Sequence, residues 1–275
     1  MWIFNSVFGK LFDLIFLPFR NMSPWIGMVL TSLLTGFLML LVFRFTSNQK
    51  GIRKAKNRIK AHLLEFRLFK DSLSISLKAQ GNILRNNLKY LRYYGKPMLI
   101  MIIPLILILF QLNLWFGYQS LTPGEAAILR VELEEGIDLL NMEFKIESST
   151  GFDIETPPLR IVEEREINWR LRAREKGIHD LILVADGHRI TKKVAVAQNL
   201  LSKISPLRAR RNFINELLNP GESPLSGDLP FKVIEVKYPA KNMNLFGWYI
   251  HWLIIYVALA VIFSFAFKGV FKVEI

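Results

Sequence analysis

Three long apolar runs organise the chain: residues 25–43, roughly 98–117 and 246–267. Each is close to the ~20 residues a helix needs to cross a bilayer. They predict membrane-spanning helices over 23–45, 97–118 and 245–268. Residues 1–22 carry a different pattern. Asn5, Gly9 and Asp13 share one helical face, with Ser6, Lys10 and Arg20 beside it. Phe8, Leu11, Phe12, Ile15, Phe16 and Phe19 fill the rest. This predicts an amphipathic helix over 2–20 of the kind that lies in a membrane interface, although a core helix of a soluble domain shares the pattern. Ser23-Pro24 then marks the start of the first span. Along that span Gly27, Thr31 and Thr35 form a stripe of small residues, with Ser32 and Gly36 next to it. Such spacing lets helices approach closely.

Residues 46–96 read as a helical hairpin. Ile52, Ile59, Phe66 and Leu73 recur every seven residues, and Leu63, Leu77, Leu84 and Leu91 form a second row. That is the seam of a coiled coil or of two packed helices. A turn is expected near Asp71-Ser72 or at Gln80-Gly81-Asn82. Gly95-Lys96-Pro97 is expected to end the hairpin and open the second span. Pro104 predicts a kink inside that span.

Residues 119–244 alternate with period two. Leu129, Val131 and Leu133 alternate with Arg130, Glu132 and Glu134. Leu140, Met142, Phe144 and Ile146 form a second set, and Ile167, Trp169, Leu171 and Ala173 a third. These are strands with one buried face. Asp186-Gly187 between two such runs signals a hairpin. Six or seven short strands suggest a sandwich of immunoglobulin-like size. Residues 207–218 are expected to form a short helix, and Phe231–Val236 a last strand.

Charge adds orientation. Residues 46–96 hold thirteen Lys/Arg against Glu65 and Asp71, whereas 119–243 hold eighteen basic and nineteen acidic groups. The net charge of +13 is therefore concentrated in the hairpin. Basic loops beside spans stay in the cytoplasm. Trp248, Tyr249 and Trp252 at the outer end of the third span suit an aromatic belt, and Lys268 and Lys272 mark its inner end. The expected fold class is an α-helical membrane protein with three transmembrane helices, N-terminus out and C-terminus in. It has a cytoplasmic helical hairpin at 46–96, an extracytoplasmic β-sandwich-like domain inserted at 119–244, and a cytoplasmic tail at 269–275. The expected location is the plasma membrane of a bacterium or archaeon.

Candidate chemistry is sparse. There is no cysteine, hence no disulfide, thiolate metal site or Cys nucleophile. No phosphate-binding glycine loop, His-Glu-x-x-His or Gly-x-Ser-x-Gly motif occurs, so neither enzyme activity nor a cofactor is expected. His179 and His188 flank the Asp186-Gly187 turn, where they could approach each other across strands. His251 sits about one turn inside the third span. It either hydrogen-bonds with Thr31, Ser32, Gln111 and Asn113 across helices or lies solvated at the interface. Arg44 either snorkels to the headgroups or lines a polar cavity. The hairpin cations Arg53, Lys54, Lys56, Arg58, Lys60 and Arg67 serve topology, attract anionic lipid, or reach ribosomal RNA or an acidic partner.

The order of these parts resembles the YidC/Oxa superfamily of membrane protein insertases, in its three-span archaeal and endoplasmic-reticulum forms. The junction Leu41-Val42-Phe43-Arg44 leading into Gln49-Lys50-Gly51-Ile52-Arg53-Lys54 is similar to the family's passage from first span to hairpin. Leu91-Arg92-Tyr93-Tyr94-Gly95-Lys96-Pro97 followed by Ile103-Pro104-Leu105 is similar to its exit into a Pro-containing span. The resemblance covers about 1–118 and 245–268. It implies a half-open polar groove that passes client segments into lipid. The groove and client-contact candidates are Arg44, Thr31, Thr35, Gln111, Asn113, His251 and Ser264. The implied partners are membrane lipids, nascent or client membrane proteins, the ribosome, and other membrane-complex subunits. A non-catalytic scaffold subunit with the β domain as binding module is the alternative reading.

Overall fold

The computed structural model describes residues 2–68, 73–147, 151–196 and 200–274. Helix α1 spans Trp2–Phe16, and a single 3-10 turn, Leu17–Phe19, follows. The expected helix to residue 20 is cut short at Pro18, whose ring disfavours helical geometry at Leu17 and whose nitrogen cannot donate. Helix α2 is Pro24–Thr46, α3 is Gln49–Leu68 and α4 is Leu73–Phe116. The chain forms two compact units, Met1–Gly27 with Leu107–Trp252, and Met28–Ile106 with Leu253–Ile275.

The second unit is helical. Helix α3 is described to Leu68 and α4 from Leu73; the expected turn residues Asp71 and Ser72 lie outside the described residues. The alternative turn at Gln80-Gly81-Asn82 is overturned, because those residues are helical within α4. Gly95-Lys96-Pro97 does not end the hairpin either. Helix α4 runs through Pro97 and Pro104 for 44 residues, about 66 Å at 1.5 Å per residue. A proline removes one helical hydrogen bond, and the bonds on either side carry the helix past it. The division between the units crosses α4 between Ile106 and Leu107, within a turn of Pro104.

The heptad seam is only partly buried. Ile52 is fully buried with Leu40, Phe43 and Val273, against Tyr90, Tyr93 and Tyr94. Leu63, Leu84 and Leu91, however, are exposed. The side chains of Phe66, Leu73 and Leu77 lie outside the described residues. The root of the arm is thus packed, while Leu63, Leu84 and Leu91 are exposed among the described residues.

Among the described residues two helices, Pro24–Thr46 and Gln80–Phe116, are long and apolar enough to cross a membrane, with mean hydropathies of 2.3 and 2.4 over their most apolar stretches. The third apolar helix, α6, spans Trp252–Phe267. Its 16 residues measure about 24 Å, short of a ~30 Å hydrocarbon layer.

The first unit is built on antiparallel strands. They are β1 (Ala126–Leu133), β2 (Phe144–Glu147), β3 (Phe152–Ile154), β4 (Leu159–Ile161), β5 (Glu166–Ala173), β6 (Gly177–Ala185), β7 (His188–Val196), β8 (Leu207–Ala209), β9 (Phe231–Val236), β10 (Asn242–Leu245) and β11 (Trp248–His251). One sheet has the order β3-β5-β1-β9-β8, with β4 also on β5; a second has the order β2-β6-β7; β10 and β11 pair alone. The period-two faces read from sequence are the buried ones. Leu129, Val131 and Leu133 on β1 and Ile167, Trp169 and Leu171 on β5 meet Leu181, Leu183, Val194 and Val196 of the second sheet in one core. Asp186-Gly187 makes the expected two-residue turn, with positive φ at both residues.

Three expectations change here. Leu140 and Met142 are not in a strand, because the Asp138 carboxylate accepts from the Leu140 and Asn141 amides at 3.0 and 3.2 Å and holds a turn instead. Residues 207–218 divide into β8 and a shorter helix α5, Phe213–Leu218, whose start is capped by Asn212. The helix expected from 245 begins only at Trp252. Phe246 and Gly247 take positive φ, Asn244 accepts from the Gly247 amide at 2.8 Å, and β10–β11 close as a hairpin.

Candidate functional site

Within the helical unit the small-residue stripe of α2 meets α6. Thr35 accepts a hydrogen bond from the Tyr256 hydroxyl at 2.9 Å. Ser32 lies 3.5 Å from the Tyr256 carbonyl, Thr31 donates to Met28 O at 3.1 Å, and Ser264 donates to Ala260 O at 2.8 Å. A Cβ placed on Gly36 would stand 3.2 Å from the Ala260 carbonyl, so glycine there sets the helix approach. Thr31, Ser32 and Thr35 are buried, and their hydroxyls serve helix packing. Arg44 is exposed at the end of α2, with no ion pair among the described residues.

Lys50, Arg53, Lys54, Asn57 and Arg58 line one open stretch of the α3 surface. Three of the six predicted contact cations therefore gather there. Lys60 and Arg67 are exposed further along the helix. Lys56 turns towards the C-terminal tail, 3.9 Å from Glu274. The tail itself is latched: Arg53 contacts Glu274 at 2.7 Å, and the Gln49 side chain accepts from the Glu274 amide at 2.7 Å. The bond from Arg53, with the nearby charges of Lys56 and Lys60, holds the Glu274 carboxyl below its ordinary range. The sequence offered no signal for this latch beyond one acid in a basic neighbourhood.

Gln111, Asn113 and His251 belong to the β-containing unit. Gln111 is buried, and its Oε1 has no hydrogen-bond partner among the described residues. Asn113 is partly buried. His251 is exposed, and it is the last residue of β11, so the expectation of a histidine inside the third span is corrected. His179 and His188 do not approach each other. His188 pairs with Ala185 at the turn and His179 with Val194 at the far end of the ladder, about 20 Å away at 3.3 Å per residue. No group of three metal-ligating residues occurs among the described residues.

Sequence reasoning missed a polar cluster in this unit. The polar stripe of α1 packs against the rest of this unit. Asn5 donates to the Glu216 carbonyl, Gly9 lies beside Lys203 and Gln111, and Asp13 accepts from Lys203 at 3.0 Å. Val7, Leu11, Leu14 and Leu17 are exposed instead. Next to this contact, the fully buried Lys192 bonds Glu222 and the Ser205 carbonyl. Burial pushes the Lys192 ammonium down from its ordinary pKa, and Glu222 opposes that shift. Burial likewise lowers Arg208, which donates to the Thr191 and Ser223 carbonyls at 2.5 and 2.7 Å. The signal for Lys192 was present: it sits in phase with the inward-facing Ile190, Val194 and Val196.

Comparison with known proteins returned no match, whether to family models, curated proteins or solved structures.

Proposed function

We propose that the chain is a membrane-embedded insertase or membrane chaperone of the YidC/Oxa kind. The observation that carries the reading is the basic arm, rooted on apolar helices and latched to the C-terminal tail. Helices α2, α4 and α6 leave Leu34, Leu38, Leu99, Ile103, Val261 and Phe265 exposed. A core helix of a soluble protein would bury such residues, whereas lipid accepts them. The α6 helix then serves as a short third span, with local thinning of the bilayer accommodating its length. The latch puts the arm and tail at one end of the helical unit, and the thirteen Lys/Arg of the arm support a cytoplasmic location for that end.

Insertion of this kind needs no covalent chemistry, cofactor or metal. It lowers the cost of carrying polar backbone and side chains through hydrocarbon, several kcal/mol for each unsatisfied group. In this reading the exposed leucines and cations of the arm receive the client or the ribosome, Arg44 meets the client's polar segment, and the β domain holds its emerging part. The test is site-specific photocrosslinking from positions 35–44 to nascent membrane proteins in proteoliposomes. Adducts with the client are expected, and Arg44→Ala should lower insertion severalfold while the protein stays in the membrane. Charge reversal at Lys54, Lys56 and Arg58 should abolish co-sedimentation with ribosomes.

A second reading, a non-catalytic scaffold of a larger membrane complex, draws on the α2–α6 contact. Ser32 and Thr35 meet Tyr256 across the helices, and Thr31 and Ser264 bond carbonyls of their own helices, so these hydroxyls are already engaged. Crosslinks to resident membrane proteins with none to nascent chains would select it.

A further inference from the structure

We infer that the β-containing unit holds a binding site for the phosphate of an anionic phospholipid, in the cavity between α1 and the β domain. The cavity measures about 290 Å³ and is lined by Asp13, Arg20, Lys193, Lys203, Glu222 and Tyr238, among others. Its charges are unequally occupied. Asp13 is taken by Lys203 and Glu222 by Lys192. The Arg20 and Lys193 side chains have no ionic or hydrogen-bond partner among the described residues. Two acids are thus neutralised within the wall, and two cations face the cavity. A guanidinium and an ammonium converging on one space suit a phosphate ester. The Tyr238 hydroxyl accepts from the Ala195 amide at 2.9 Å, which leaves its own proton for an acceptor in the cavity.

The surroundings select a lipid rather than a free anion. Asp13 and Arg20 flank Leu14 and Leu17, which are exposed at 68% and 60%. The exposed apolar face of α1 therefore ends at a cationic cavity, four residues before Pro24 opens the first apolar helix. An apolar surface beside a phosphate site matches the acyl chain and headgroup of one molecule. Arg20 and Lys193 would position the phosphate, and the apolar face the chain.

The inference rests on the membrane reading but not on client handling. The full chain is extracted in detergent, and bound phosphatidylglycerol is counted by native mass spectrometry for the unaltered protein and for the double substitution Arg20→Gln, Lys193→Gln. Retention should fall at least tenfold in the variant. Its thermal unfolding should stay unchanged, because neither side chain holds another part of the fold. Equal retention by both proteins would overturn the site. Competition by inorganic phosphate as strong as by short-chain phosphatidylglycerol would show a free-anion site and overturn the lipid. Carbonate extraction of the unaltered protein, run in parallel, separates these results from failure of the membrane reading: release into the supernatant would remove the membrane itself.

Discussion

Lys192 and Glu222 form an ion pair with unequal halves. The ammonium is fully buried, while the carboxylate keeps some access to water. Removing the carboxylate strands a charge in the core, and breaking buried pairs in this way costs about 3–5 kcal/mol. Glu222→Ala should therefore destabilise the protein by about 3 kcal/mol in denaturant unfolding followed by tryptophan fluorescence. Lys192→Met should cost clearly less, since a methionine fills the same space and Glu222 can turn to water. Equal losses would mean that shape, not charge, holds the site. Half of this site was legible beforehand. Lys192 breaks an inward-facing apolar series, which alone demands a buried partner. The partner lies 30 residues away, in a loop with no periodicity, and strand alternation carries no information about which loop closes over a strand. The same limit applied to Asp13: its place on the polar stripe of α1 was evident, but not that it would pair with Lys203.

Elements were most legible where one face is buried. Strands β1, β5 and the β6–β7 hairpin follow their alternation because each packs one face into a common core. The misreadings fell on local chemistry that competes with periodicity: the Asp138 turn, Pro18 at the end of α1, and the Phe246-Gly247 turn. Hydropathy alone cannot separate a strand rich in Trp and Tyr from the first turns of an apolar helix, which is why 245–251 was assigned to a span. The C-terminal tail gives a prediction at this scale. Glu274 titrates below its ordinary value near 4.5 because Arg53 binds its ionised form. Its contribution is therefore fully present above that value and is lost as the pH falls through the depressed one. A spin label at Lys272 should be immobile at neutral pH and become mobile in acid. In Glu274→Gln it should be mobile throughout, and an immobile label in that variant would show that Val273 burial suffices without the ion pair.

The whole molecule combines a β domain of near-balanced charge with helices that expose apolar side chains and one strongly basic arm. A soluble protein has no use for uncovered leucines along two long helices, and the amphipathic α1 makes the same point in reverse. It buries Asn5, pairs Asp13 with Lys203, and exposes Val7, Leu11 and Leu14. Both features fit a chain whose solvent is partly lipid. Covering α2, α4 and α6 by further subunits would serve the scaffold reading equally, so sidedness is the claim on which the proposed function turns. The chain has no cysteine, which makes single-site labelling clean. Lys60→Cys on the arm and Lys145→Cys on the β domain should be treated with a membrane-impermeant maleimide on intact cells. Position 145 should be modified at once and position 60 only after the membrane is permeabilised. Immediate labelling at 60 with protection at 145 would invert the topology, and immediate labelling at neither site or at both would dissolve it.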